Sequence, residues 1–260
     1  MKKLFLMALT AIIILPAAAQ EEKKLSKKDQ RRQRINAIAK QEEEGVIKYK
    51  KHSVFGIKLT NDGYGIFYEQ GRGRSVKKAL LFQLDITERK HPKEEKRQFN
   101  FSTTAPIIYG KINFFYPVKI GVQEQFLLGN KGNKNGVSIT GNVGGGFIAG
   151  LLRPYMIDVA YGSGRKYIQY NSADSSEFLH GFYYGGPNLG TGWKYLKVTP
   201  GIYLKPAVRF DYGKYNEMVS AIEVGLTGEF YTKKIPQMVY LKQKQFFFSA
   251  YVSILFGRRK

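Results

Sequence analysis

Between residues 196 and 210 every second position is apolar: Leu196, Val198, Pro200, Ile202, Leu204, Pro206, Val208 and Phe210. The positions between them hold Lys197, Thr199, Gly201, Tyr203, Lys205, Ala207 and Arg209. Successive side chains of a strand point to opposite faces, so this segment presents one apolar face and one face carrying three cations. Such a length exceeds an ordinary strand. It suits a tilted strand that crosses a bilayer, with lipid on one side and a polar lumen on the other.

The alternation recurs along the chain. In 52–60, Phe55, Ile57 and Leu59 share a face; Asn61, Asp62 and Gly63 form a hairpin turn, and Tyr64, Ile66 and Tyr68 resume the phase. Residues 78–89 place Leu80, Phe82, Leu84 and Ile86 outward and Gln83, Asp85, Thr87 and Arg89 inward. In 111–128, Ile112, Phe114, Tyr116, Val118, Ile120 and Val122 are in phase, with Asn113, Lys119 and Gln123 between them, until Glu124 signals a bulge or a position outside the hydrocarbon. Segments 137–151, 220–231 and 246–256 continue the pattern, the last through Phe246, Phe248, Ala250, Val252, Ile254 and Phe256. Residues 161–192 lack alternation and read as a long loop.

These segments predict an all-β fold, an eight-stranded antiparallel transmembrane β-barrel. An even strand count puts both termini on one side, with 91–106 and 161–192 outside and 130–135 and 213–216 in the periplasm. The turn at 61–63 is then a short external one. Pro200 and Pro206 are in tension with this scheme, because each removes a ladder hydrogen bond in a sheet without edges.

The N-terminus bears on which membrane. Lys2 and Lys3 precede an apolar run over 4–15, then Pro16 and Ala17, Ala18 and Ala19, the order of a cleaved secretory signal over 1–19. A basic periplasmic arm, helical or disordered, is expected over 20–50, and the barrel over 51–260. Only helices and closed barrels satisfy backbone groups in lipid, and no second helical run follows, so the bacterial outer membrane is the expected location. The chain has no cysteine and a formal charge of +22. In a soluble chain that charge favours nucleic acid, but the export signal argues against it and points to lipopolysaccharide, other outer-membrane lipids and anionic envelope proteins.

The candidate chemistry is sparse. His52, His91 and His180 share no metal-ligand spacing, so neither a metal nor a cofactor is expected. His180 near Asp174, Ser175, Ser176 and Glu177 offers the residue types of a lipid-modifying enzyme, but no nucleophile motif frames them, and no catalytic residue is assigned. Inward Lys197, Lys205 and Arg209 facing Glu223 and Glu229 predict a luminal charge network, read first as a structural plug and second as a narrow channel or ligand site. Partner contacts are expected from Lys23, Lys24, Lys27, Lys28, Arg31, Arg32 and Arg34 in the arm, and from His180, Tyr183 and Tyr184 in the long loop.

The segments KGNKNGV at 131–137, LLRPYMIDV at 151–159, KVTPGIYLKPAVRFDYG at 197–213 and FFFSAYVSILFGRRK at 246–260 resemble the small outer-membrane β-barrel proteins of Bacteroidota. The last strand also resembles a barrel-assembly recognition signal, from which it departs by continuing through Gly257, Arg258, Arg259 and Lys260. The resemblance implies an outer-membrane barrel. For function it implies a non-enzymatic accessory or scaffold subunit of a secretion or barrel-assembly complex.

Overall fold

A computed structural model describes residues 50–260 apart from 76, 99–104, 133–135, 163, 172 and 214–216, together with Ser26, Lys28, Asp29 and Arg32. Eight long strands carry the alternation: β1 (Lys51–Thr60), β2 (Gly63–Gly73), β3 (Lys78–Arg89), β4 (Asn113–Gly129), β5 (Ser138–Pro154), β6 (Lys197–Asp211), β7 (Met218–Ile235) and β8 (Lys244–Arg259). Each pairs antiparallel with its neighbour in sequence, and β8 returns to β1 to close the barrel. Closure leaves the strands without the free edges of an open sheet over their paired lengths.

The stagger is read from the register. Paired residues lead from Phe55 through Tyr68, Leu84, Ile120, Phe147, Ile202 and Phe230 to Phe246, whereas Phe55 itself pairs with Phe256, ten residues further along β8. A shear of this kind goes with strands tilted by about 35–45° to the barrel axis.

The distribution of side chains is inverted relative to a soluble protein. Phe147 is 79% exposed, and Leu59, Ile120, Ile202 and Leu204 also stand free on the outer wall. Lys58, Glu69, Asp85, Lys119, Lys205, Arg209, Glu223 and Glu229 are buried inside. Water does not hold an apolar wall of this extent around a charged interior; lipid does. The molecule is an eight-stranded outer-membrane β-barrel.

Connections at 74–77, 130–137 and 212–217 lie at the end that carries Lys50 and Lys260, whose backbones are hydrogen-bonded. Those at 61–62, 90–112, 155–196 and 236–243 lie at the other end; 90–112 and 155–196 are the long external loops expected of such barrels, and 61–62 is the short external exception. The prolines fit because each gives up a partner on one side only. Pro200 and Pro206 pair with Ala149 and Val143 of β5 but with no residue of β7, and Thr232 Oγ1 instead donates to the Pro200 carbonyl at 3.1 Å. Pro117 likewise pairs with Gly150 of β5 and with no residue of β3. The irregularity of β4 lies between Leu127 and Gly129 rather than at Glu124, which keeps register and stands beside Lys78 at 3.7 Å.

The expectation of a structureless 161–192 loop is corrected. Strands Met156–Tyr161, Gly164–Gln169 and Tyr183–Gly185 form a small sheet, with helix α1 (Ser175–His180) beside it. Ile107, Ile108, Tyr155, Ile157, Val159, Ile168 and Phe178 make a separate apolar core. Its strands are too short and too interrupted by Gly, Ser and Asn to show a period in sequence.

Residues 1–19 lie outside the described residues, as do Lys23, Lys24, Lys27, Arg31 and Arg34. Lys28, Asp29 and Arg32 are helical and exposed, and the Asp29 amide donates to Ser26 Oγ at 3.3 Å.

Candidate functional site

Inward parity on six of the eight strands brings the charges of this network into the lumen, and closure decides which charges meet. Near the periplasmic end Arg209 of β6 makes two parallel bonds to Glu69 of β2, at 2.8 and 2.7 Å, and reaches Glu223 of β7 at 2.7 Å. His52 Nε2 lies 3.0 Å from Glu69. In the middle, Lys205 meets Glu223 at 3.0 Å, Lys58 pairs with Asp85, and Lys119 approaches Glu229 at 2.9 Å and Asp85 at 3.9 Å. Toward the outer mouth Arg89 of β3 holds Glu229 of β7 at 2.7 Å and Asp62 at 2.7 Å.

Hydrogen bonds complete the carboxylates. Tyr251 Oη and Asn142 Nδ2 donate to Glu223 at 2.8 and 3.0 Å, and Tyr231 Oη donates to Glu229 at 2.9 Å. Gly225 makes room for this: a Cβ there would stand 2.6 Å from Tyr251 Oη. Ions in such a space are tolerable only when paired and bonded on several sides, and these are.

Of the five charges expected in the network, Lys205 and Arg209 meet Glu223, while Glu229 is in the lumen but pairs with Arg89 and Lys119 instead of the β6 cations. Lys197 is corrected: it has inward parity but is exposed as the first residue of β6, at the outer rim where the lumen has opened. Lys58, Glu69, Asp85, Arg89 and Lys119 were missed as site residues. Their inward parity was the available signal; Lys119 stands opposite Asp85 on the neighbouring strand, whereas Glu69 meets Arg209, and Arg89 meets Glu229, across the barrel. Arg209–Glu69 and Arg89–Glu229 join strands four places apart around a ring of eight, so both pairs bridge the lumen and fill the path a solute would take.

The outer mouth is also covered. The 236–243 connection crosses to the start of β4, where the Ile112 amide donates to the Gln237 carbonyl and the Val239 amide to the Gly110 carbonyl, each at 2.8 Å. Lys111 pairs below it with Glu94 at 2.6 Å, and burial holds the Lys111 ammonium below its usual range against the pull of Glu94. Burial likewise lowers the His91 imidazole, with Glu94 opposing and Lys244, Lys93 and Lys111 adding to the fall.

At the outer end of β5, Arg153 lies over Phe114, Trp193 and Tyr116, at 4.1, 5.0 and 5.7 Å from the ring centroids. It donates to the carbonyls of Leu189 and Thr191 at 2.7 and 3.2 Å, fastening that loop to the barrel. The residues expected as partner contacts here divide. His180 is exposed at the end of α1. Tyr183 instead serves the fold, packing on the external core and donating to the Phe178 carbonyl at 3.0 Å. Tyr184 is partly exposed beneath Arg165, at 4.3 Å from its ring. More prominent are Phe182, 72% exposed, and Leu189, 89% exposed, neither of which sequence reasoning singled out.

No family model and no curated protein matches the chain. Among solved structures it is similar to the N-terminal β-barrel domain of OprF from Pseudomonas aeruginosa, at 8% identity and a TM-score of 0.35 over 80% of this chain and 98% of that one. It is similar to Neisserial surface protein A, at 10% identity and a TM-score of 0.37 over 81% and 96%. It is also similar to Ail, the attachment invasion locus protein of Yersinia pestis, at 8% identity and a TM-score of 0.38 over 82% and 100%.

Proposed function

We propose that this barrel is a non-enzymatic accessory or scaffold subunit of an envelope complex, in protein secretion or outer-membrane protein assembly, as its resemblance to Bacteroidota barrels implies. The observation that supports this is the external layer. A loop of ordinary spacer function does not need its own apolar core, and this one holds Phe182 and Leu189 out to solvent from a framework anchored by Arg153. Exposed apolar side chains on a rigid base suit a protein partner. The bridged lumen supports the same reading, because it leaves the barrel a membrane anchor rather than a conduit.

The experiment is photo-crosslinking in native envelopes from positions 182 and 189. A reproducible protein adduct, lost when Phe182 and Leu189 are both changed to Ser, is the expected outcome. A chain that migrates alone in mild detergent and gives no adduct overturns the scaffold. A deletion strain with an altered lipid A or phospholipid acyl pattern, restored by the wild type but not by His180→Ala, overturns it in favour of an enzyme.

A further inference from the structure

The barrel wall is not equally high all round. β1 stops at Thr60, and with about 3.3 Å per residue and a tilt near 45° its ten residues rise roughly 23 Å, barely an apolar band of about 25 Å. β8 begins at Lys244 but meets β1 only from Tyr251 onward, opposite Thr60. Residues 244–249 therefore stand above the two-residue turn at Asn61 and Asp62 with no strand on that side. The Asn61 amide closes the ladder on the Ala250 carbonyl at 3.1 Å. By the alternation of an antiparallel strand, the peptide groups of Phe248 and Phe246 face the same open side as that carbonyl.

This gap is the mouth of a cleft of about 320 Å³. Its floor is the Asn61–Asp62 turn, its walls are β8 and the Lys90–Pro92 segment, and its roof is the 236–243 connection. Two chemistries meet there. Phe246 and Phe248 carry the lipid-facing surface of β8 to its edge, with Ile235, Met238 and Leu241 behind. Lys90, Lys242 and Lys244 line the same space. Lys90 lies over the outward ring of Tyr64, 4.8 Å from its centroid, and among the described residues Lys242 and Lys244 have no carboxylate within 4.0 Å. The one acid in the lining, Asp62, is already held by Arg89 at 2.7 Å and accepts from Ser249 at 3.2 Å.

We propose that this lateral cleft binds a phosphorylated lipid of the outer leaflet. The phosphate sits among Lys90, Lys242 and Lys244, the peptide amides on the open side of β8 supply further donors to its oxygens, and an acyl chain lies along Phe246 and Phe248. A cationic edge at the rim of an apolar wall matches a molecule that is anionic at one end and greasy at the other. An unpaired strand edge beside hydrocarbon needs such donors and acceptors satisfied. The inference is independent of the scaffold reading, because neither Phe182 nor Leu189 lines the cleft.

The test uses the full chain in neutral-detergent micelles, with native mass spectrometry against lipid A, its dephosphorylated form and inorganic phosphate. One retained lipid A is expected, held on the order of a hundredfold more weakly when Lys90, Lys242 and Lys244 are all changed to Gln, at about fivefold for each charge. Lys233 and Lys234, exposed on the same hairpin but outside the cleft, supply a control pair whose change to Gln leaves retention as it was. Lys242 and Lys244 are exposed and Lys90 is half-buried, and heat-modified gel migration verifies that the test variant is folded. Equal retention by the triple variant overturns the site, as does equal loss in the control pair. Equal binding of the dephosphorylated form removes the phosphate from the proposal, and displacement by inorganic phosphate alone shows a simple anion site instead of a lipid one. A protein adduct from position 248 in native envelopes, with lipid retention unaffected by the variants, overturns it in favour of an added strand.

Discussion

In the lumen, Glu223 is held by Arg209, Lys205, Tyr251 and Asn142, while in the external layer Tyr155, Ile157 and Phe178 meet with Ile107 and Ile108 in an apolar core. The two regions are joined through β5 and differ in their main means of cohesion. Within the bilayer the outward apolar side chains are satisfied by lipid, and the interior adds paired charges and hydrogen bonds to two inward apolar clusters, one around Phe115 and Tyr231 and one around Phe67 and Leu255. Where the chain leaves lipid, water again surrounds it, and burying apolar surface becomes favourable. Charge is central to one region; in the other Arg153 acts chiefly through aromatic faces, and charge is confined to the edge, where Arg165 meets Asp158 at 2.7 Å.

The largest effect should come from breaking the lumen. Glu223→Ala leaves Arg209 and Lys205 without a shared counter-charge, and a loss of about 3–5 kcal/mol is expected in urea unfolding from liposomes. The external core should be little affected, as judged by proteolysis of 155–196. Arg153→Ala tests the reverse: it removes the stacking on Phe114 and Trp193 and both carbonyl bonds, and should speed hydrogen exchange over 186–196 while barrel unfolding stays within about 0.5 kcal/mol of the parent. If Arg153→Ala unfolded the barrel, the separation between the two regions would fail.

Tyr155 sharpens the comparison at a single bond. Its hydroxyl accepts from the Ile108 amide at 2.8 Å, so Tyr155→Phe leaves a buried donor unsatisfied, at a cost of about 1–3 kcal/mol confined to the external layer. Burial pushes the phenol up to about 12. Because this folded value lies above the unfolded one, the associated stability is present below pH 10 and is lost as pH rises toward 12, an alkaline weakening that Tyr155→Phe should remove. The smallest effect concerns His91, whose Nδ1 accepts from the Lys93 amide at 3.2 Å. Its depressed folded value makes that turn intact above the ordinary imidazole value near 6.5 and weaker as pH falls below it. An NMR titration of the imidazole should give a midpoint below that of a free histidine, and a midpoint at or above it would count against burial of this side chain.

Much of the barrel was legible from alternation alone. Phe55, Ile57 and Leu59, and Phe248 through Phe256 on β8, face lipid as their parity requires, and the strand count follows from counting such runs between turns. The external sheet was not legible, because Met156–Tyr161 and Gly164–Gln169 are short and their core is assembled with Ile107 and Ile108, about fifty residues away in sequence. Lys197 shows the limit of parity: a residue can point inward and still be wet if its strand has risen past the lumen.

The sequence by itself determined which face of each strand meets lipid, since a period of two leaves no other choice once one face is apolar. It also determined that charges such as Arg209 and Glu229 point inward. Only the tertiary structure decided that Arg209 reaches Glu69 and that Arg89 reaches Glu229. Those contacts depend on closure at a ten-residue stagger, a property of the whole ring that no single strand encodes. The same stagger, with a two-residue turn at 61–62 beside a long β8, left one low place in the wall where lipid-facing phenylalanines and lysines come together.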